Sequence, residues 1–479
     1  MTHRPWLQLA FVLGEAALTL VSGGLIFIII SRASGPEVLG SYALALAWLA
    51  LFQGVSSFGI PEYVLREAGA HGRDAAGQVV HALLLGLGSG FVAICLMLIA
   101  VRFLGYSAYT VRVITVTSLA LIPAFFNTSC RSVFVAQRRM HLPFAVALIE
   151  AAIMLSASLY LLFAGYGAVA LMVAFVVAKI ASASFAGVQL FRWVLPARPA
   201  LDPRMLLQTA RTVLAFGVGA MIGMLSLRIN VIMVSLWVDI PTVGHYAAAS
   251  KIMEISLITS QLFGPLLLSR MAHNFSVKGA RDPNDFGAWY EVLFAVVVPP
   301  CVGVWVFAGP ILETAFGTAF GNAVWILRIL MIYVLTETAD IMMSVILKAA
   351  NRQRQDATCL AFNLLTNIVL NLAFLPVLGP IGAAIGRVAG GGVSATLRHL
   401  LISRVLTPVN WLHFARKPAL ISLAAGSVCF LLLDVERSAW LLIFYTAACL
   451  VSLWISASFS FSTIKDIMSF PSSALRDNP

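Results

Sequence analysis

Residues 8–31 read QLAFVLGEAALTLVSGGLIFIIIS, with Glu15 as the lone charge in the run. A helix rising about 1.5 Å per residue needs roughly 20 such residues to cross a hydrocarbon core of about 30 Å. The stretch therefore predicts a membrane-spanning helix from Gln8 to Ser31. It is longer than a signal-peptide core, and the apolar run passes through Ile26 to Ile30 with no small-residue cleavage site after it. The helix is expected to be retained.

The same signature recurs along the chain. Further spans are expected at Gly40 to Ile60, Gln78 to Val101, Val113 to Val135, Pro143 to Ala164 and Ala168 to Leu190. A second set covers Thr212 to Val238, Tyr246 to Ser269, Glu291 to Ala308, Asn322 to Leu347, Thr358 to Leu375 and Ile381 to Ile402. A last pair covers Ala419 to Leu433 and Ala439 to Phe461. The fold class is thus an all-α polytopic membrane protein of about fourteen transmembrane helices. Of the 479 residues 60% are hydrophobic and only 11% charged, and the mean hydropathy is +0.94. A soluble domain could not cover that much apolar surface, whereas lipid accepts it.

Basic residues set the expected orientation. With the N-terminus inside, the opposite side carries only Arg32, Arg102, Arg112 and Arg437 of the 31 Lys and Arg. Seven more lie within spans and the rest fall on cytoplasmic segments, a strong positive-inside bias that puts both termini in the cytoplasm. The formal charge of +11 is then a topology device with affinity for anionic headgroups. No compact basic patch points to nucleic acid. Cys95, Cys130, Cys301, Cys359, Cys429 and Cys449 all fall in spans without a CxxC pair and read as packing residues.

An internal repeat divides the chain. Gly40-Ser41-Tyr42-Ala43 opens the second span and Gly244-His245-Tyr246-Ala247 the eighth, each after a turn containing proline (Pro36 and Pro241). Gly167-Ala168 and Gly382-Ala383 form a second pair, and Ala136-Gln137-Arg138 and Ala350-Asn351-Arg352 a third. Both halves begin on the same side, so the repeat is parallel, an arrangement that places a substrate site at the interface of the halves near the midplane. The expected organisation is a six-span lobe over 1–190, a cytoplasmic connection over 191–211, a second lobe over 212–402, and the last spans with a cytoplasmic tail over 403–479. Asp202 followed by Pro203 is a helix-start signal and predicts a short interfacial helix in the connection.

Charges at helix centres cost about 2.5–3.5 kcal/mol, so those that persist normally face a bundle interior or a water-filled cavity. Lys179 and Arg228 lie too deep to snorkel and are expected in a cavity. Arg328 and Arg387 join them as candidate substrate residues. Lys251 and Glu254, three apart, are either a local ion pair or part of the cavity wall. Arg131 and Arg398 sit near cytoplasmic ends, where snorkelling accounts for them. Glu337 and Asp340 are like charges one turn apart, so one must take up a proton or borrow a basic partner. They and Glu254 are the candidate coupling residues. Asn363, Asn367 and Asn371 recur every four residues and draw an amide stripe down one face. Interhelical hydrogen bonding is its plain reading, and a wall facing a sugar the sharper one.

No Walker A, no HExxH and no paired-carboxylate outer loop is present, so the chain is expected to be a transporter with no cofactor and no metal site. The outer acids (Glu37, Asp239, Glu313, Asp434 and Glu436) are dispersed over short turns, unlike a glycan polymerase.

The run from Ile28 to Ala43, with Ser31-Arg32 and Gly35-Pro36-Glu37 before Gly40-Ser41-Tyr42, resembles the first helix junction of polysaccharide-transporter flippases of the O-antigen (Wzx-type) group. Phe58-Gly59-Ile60 with Arg66-Glu67 fits as well, and Gly244 to Lys251 is similar to the second-half counterpart. Ser34 stands where that family usually has Leu. The resemblance implies the multidrug/oligosaccharidyl-lipid/polysaccharide exporter fold, two six-helix lobes in a V around a central cavity, with an optional helix pair. It also implies transport of an undecaprenyl-diphosphate-linked oligosaccharide across a bacterial inner membrane by alternating access. The partners implied are the lipid-linked oligosaccharide, membrane lipids, a polysaccharide polymerase and a chain-length regulator. A multidrug cation antiporter, a lipid II flippase and an integral glycan polymerase or ligase are the rival readings.

Overall fold

The computed structural model of the chain describes residues 5–194, 202–278 and 283–403, with isolated positions between 416 and 427. The expected spans at 419–433 and 439–461 lie outside the continuously described residues. Among the described residues there is no strand, and helices cover each of the first twelve expected spans. Eight helical stretches among the described residues are long and apolar enough to cross a membrane, and the first of them contains two of the expected spans.

Helix α1 (Pro5–Ser57) carries those two spans, with its break at Gly35, where φ is 75° and ψ is −170°. A side chain is strained at that φ, so glycine makes the turn, and Pro36, which needs no amide partner, starts the next helix. The first half continues with α2 (Ile60–His71), a 3₁₀ turn (Gly72–Ala75), α3 (Ala76–Phe103), α4 (Ala108–Ser118), α5 (Leu121–Ala136), α6 (His141–Phe163) and α7 (Ala168–Val194). The expected fourth span is therefore two helices, α4 and α5, stepped at Leu119 and Ala120. Ser107 caps α4 by accepting from the Thr110 amide.

The second half is α8 (Pro203–Trp237), α9 (Ile240–Lys278), α10 (Pro283–Val306), α11 (Ala308–Phe316), α12 (Val324–Ala349), α13 (Gln353–Leu378) and α14 (Pro380–Ser403). The start signal at Asp202–Pro203 holds: Asp202 Oδ1 accepts from the Arg204 amide at 2.8 Å. That helix does not stop after a turn or two, however. It runs unbroken to Trp237, so the expected separate interfacial helix is the first part of α8.

Two compact units emerge. The first comprises residues 1–248 with 313–320 and 371–383, and the second 249–312, 321–370 and 384–479. In the first, α1 packs on α3, α6 and α8, and α6 on α7. A cluster at one end of it buries Tyr63, Val64, Phe125, Phe134, Trp193 and Val213. In the second, α10 packs on α12.

The two repeat motifs meet inside the first unit. A Cβ built at Gly40 would run into the carbonyl of Ile240, and one built at Gly244 into the carbonyl of Pro36. Pro36 and Gly40 are related to Ile240 and Gly244 by the same shift of 204 positions, so the contact is reciprocal. Only glycine allows two helix backbones this close. The tyrosine two residues after each glycine, Tyr42 and Tyr246, is buried. Beside this crossing Arg32 donates from Nε to the Ala315 carbonyl at 3.2 Å and from its amino groups to those of Glu313 and Thr314. It thereby caps the C-terminus of α11, where unpaired carbonyls favour a cation. His245 closes the same end with a ring nitrogen 3.0 Å from the Ala319 carbonyl.

Candidate functional site

The intramembrane charges do not stand alone. In the first unit Lys179, on α7, places Nζ 2.6 Å from Glu150 Oε2 on α6. Glu150 Oε1 also accepts from Asn127 Nδ2 on α5 at 3.0 Å and from Ser182 Oγ at 2.9 Å. Because a carboxylate only accepts, this geometry fixes which end of the Asn127 amide faces it. A turn along α5, Arg131 grips Glu15 of α1 with two bonds, at 2.6 and 3.2 Å. Between these pairs lies a cavity of about 140 Å³ lined by Glu15, Thr19, Asn127, Thr128, Arg131 and Glu150. Lys179, expected at a water-filled cavity, is the partner of Glu150, and it is Glu150 that lines this one. Arg131, expected to snorkel, keeps half its side chain exposed while holding Glu15.

The other unit treats its charges differently. Arg398 on α14 bonds Asp340 on α12 and, at 2.8 Å, Asp356 at the start of α13. Ser394 Oγ adds a bond of 3.1 Å to Asp340, and Lys348 reaches Asp356 at 3.5 Å. The Arg398 and Asp340 side chains are each only 4% exposed. Snorkelling is therefore the wrong account of Arg398: its guanidinium is folded inward because two carboxylates, not headgroups, satisfy its donors. Asp340 is the acid that borrows a basic partner. Glu337, half-buried, lies one turn before it on α12, and Arg387 of α14 stacks 4.8 Å from the Tyr333 ring centroid. The structure thus brings Glu337, Asp340, Arg387 and Arg398 to facing helices of one unit.

Arg328 lies between tryptophan rings. It sits in the first turns of α12, half-buried, with its guanidinium 5.1 and 4.9 Å from the rings of Trp305 and Trp325, both exposed, and its Nε on the Trp305 carbonyl at 3.2 Å. Amphipathic rings around a cation near a span end are the make-up of an interfacial anchor. Lys251 Nζ lies 3.5 Å from Glu254 Oε2, the local pair that was one of two expectations. Arg228 is half-buried on α8, two residues before Asn230.

The amide stripe is buried. Asn363, Asn367 and Asn371 are 8%, 2% and 0% exposed, the setting of the interhelical hydrogen bonding that was the plainer of the two expectations. Asn371 donates to Asn230 Oδ1 of α8 at 2.6 Å within the first unit. In the second, Gly390 of α14 nests against the Asn363 backbone and the Asn367 side chain. Asn127, Ser182, Asp356 and Ser394 were not singled out from sequence. The mid-span Asn127 carried a usable signal, a polar residue at helix depth, whereas Asp356 read as a loop residue.

Comparison with known proteins is consistent with this architecture. The family model of polysaccharide biosynthesis proteins matches residues 16–266, more than half of the chain. No curated protein sequence matches. Among solved structures, the lipid II flippase MurJ in an inward closed conformation superposes with a TM-score of 0.79 at 14% identity, over 95% of this chain and 100% of that one. An inward-facing multidrug resistance MATE family transporter of the MOP superfamily gives 0.66 at 17%, over 81% and 95%. A MOP superfamily transporter from Pyrococcus furiosus with a binding pocket of reverse polarity gives 0.58 at 16%, over 83% and 94%. These likenesses show a shared polytopic fold. The chain is a multi-pass membrane protein and belongs to the polysaccharide biosynthesis protein family.

Proposed function

We propose that the protein is a flippase that carries an undecaprenyl-diphosphate-linked oligosaccharide, an O-antigen or exopolysaccharide repeat unit, from the inner to the outer leaflet of a bacterial inner membrane. The observation that carries this reading is the family match over residues 16–266, in a chain whose fold is that of a flippase with a lipid cargo. The termini are cytoplasmic in this reading, and the lobes move the headgroup by alternating access while the isoprenoid tail stays in lipid. Arg228, Lys251 and Arg387 are the candidates to meet diphosphate: guanidinium offers forked donors and ammonium a point charge. Glu254 and Glu337 are the candidate acids for coupling to an ion gradient. A polymerase and a chain-length regulator would receive the product.

The test is loss of the gene. A lipid-linked glycan should accumulate on the inner leaflet while surface glycan disappears, and Arg228→Ala should insert normally yet export less. Resistance to cationic dyes on expression with unchanged glycan would favour a multidrug antiporter instead. Arrest of wall growth would favour lipid II as the cargo.

A further inference from the structure

Helix α14 carries Gly390-Gly391-Gly392 in mid-span, a run that weakens it at every position because glycine is the poorest helix former after proline. Packing accounts for two of the three. A Cβ at Gly390 would lie 2.8 Å from the Asn363 carbonyl oxygen of α13, and one at Gly391 would lie 3.3 Å from the Tyr333 ring of α12. Gly392 has no such reason: a Cβ there would meet nothing within 4 Å. Its carbonyl is also shared, since Thr396 Oγ1 donates to it at 2.8 Å. A hydroxyl bonded back to the fourth preceding carbonyl loosens a helix and favours a bend. Two weakenings thus fall on one peptide of a helix that is continuous from Pro380 to Ser403.

The two sides of that peptide are held unequally. After it, Ser394 and Arg398 are bonded to Asp340, and Arg398 to Asp356 as well, which fixes the later part of α14 to α12 and α13. Before it, Gly390 and Gly391 offer bare backbone to the neighbouring helices, with no side chain to lock between theirs. Arg387 there rests on a ring face, its guanidinium 4.8 Å from the Tyr333 centroid, a contact with little directional demand. We propose that α14 bends at Gly392, and that Gly392 and Thr396 are positioning residues that let Arg387 move while Arg398 stays in place. Arg387 lies about 7.5 Å from Gly392 along the helix axis, so a kink of about 20° carries it roughly 2.5 Å sideways, enough to leave the ring. The inference rests on the flippase reading only for what Arg387 meets when it moves, the diphosphate of the cargo.

The test is amide hydrogen exchange on the full-length protein in detergent, beside glycan export in cells. In wild type the amides of 392–396 should exchange faster than those of 384–389. Gly392→Ala, which fills open space, should slow them about fivefold and lower export by a similar factor, the helix-propensity difference between the two residues expressed as a population. Thr396→Val should slow the same amides. Gly88→Ala is the control: Gly88 is exposed in α3, a Cβ there also meets nothing within 4 Å, and Val92 stands four residues on in place of a hydroxyl. It should raise the unfolding temperature as much as Gly392→Ala does, by about 1–2 °C, yet leave export unchanged. A glycine with a structural role alone would behave alike at both positions. Exchange at 392–396 no faster than at 384–389 in wild type, or wild-type export from Gly392→Ala, overturns the hinge. No glycan enters the exchange measurement. Fast exchange at 392–396 that the alanine slows, in a protein whose loss leaves surface glycan unchanged, would uphold the bend and count against the flippase reading instead.

Discussion

Glu150 and Asp340 are both carboxylates inside a helical bundle, and each is held by a basic side chain, yet they sit in opposite settings. Glu150 and Lys179 keep 24% and 21% of their side chains exposed, and Glu150 borders a cavity. Asp340 and Arg398 keep 4% each and are knitted to Asp356 and Ser394. A charge that water can reach is able to change partners. A charge enclosed on all sides cannot, because every intermediate leaves an uncompensated ion in a medium of low dielectric. The first arrangement suits an exchange and the second suits a fixed joint between α12, α13 and α14.

The contrast can be broken most severely at Arg398. Arg398→Ala should cost about 3–5 kcal/mol by stranding Asp340 and leaving Asp356 with Lys348 alone, and most of the protein should fail to survive extraction into detergent. Chromatographic recovery of monodisperse protein measures it, and wild-type recovery would mean that the enclosed web is not a joint. Next comes Gly40→Val, an uncharged yardstick: overlap at the crossing should cost about 1–3 kcal/mol, read as a lower unfolding temperature. A neutral polar yardstick follows in the Asn371–Asn230 pair. A double-mutant cycle with leucine at both positions should return a coupling of roughly 0.6 kcal/mol, with about 1.7 as the upper bound. Smallest in stability is Lys179→Met, within about 1 kcal/mol because its pair is partly solvated. It should nevertheless change glycan export measurably, and a loss of stability comparable with that of Arg398→Ala would erase the distinction between the two units.

Much of the scaffold could be read directly. Hydropathy located helices at the first twelve expected spans, eight helical stretches among the described residues being long and apolar enough to cross a membrane. The repeat was visible in Gly40 to Ala43 and Gly244 to Ala247, because close backbone approach leaves no alternative to glycine. What could not be read was pairing. Lys179 meets Glu150 across 29 positions and Arg398 meets Asp340 across 58, and only the rotation of each helix decides such meetings. Distance from a span end made Arg398 look like a snorkelling residue. Its direction, inward from α14, is a property of packing that position along the chain does not encode. The stepped junction of α4 and α5 was missed because it does not interrupt the apolar pattern enough to show, and α2 because its charged residues read as a loop between two spans.

The reciprocal crossing of Gly40 and Gly244 bears on how such a chain could arise. Each glycine meets the carbonyl four residues before the other, so exchanging the two halves reproduces the contact. That self-complementarity defines an isologous interface, the kind two identical subunits form around a twofold axis. A half-length ancestor with a single such junction would have carried both faces of the joint in one sequence. Fusion of two copies would then have made the association permanent and left each copy free to diverge, one toward solvated ion pairs and the other toward an enclosed web.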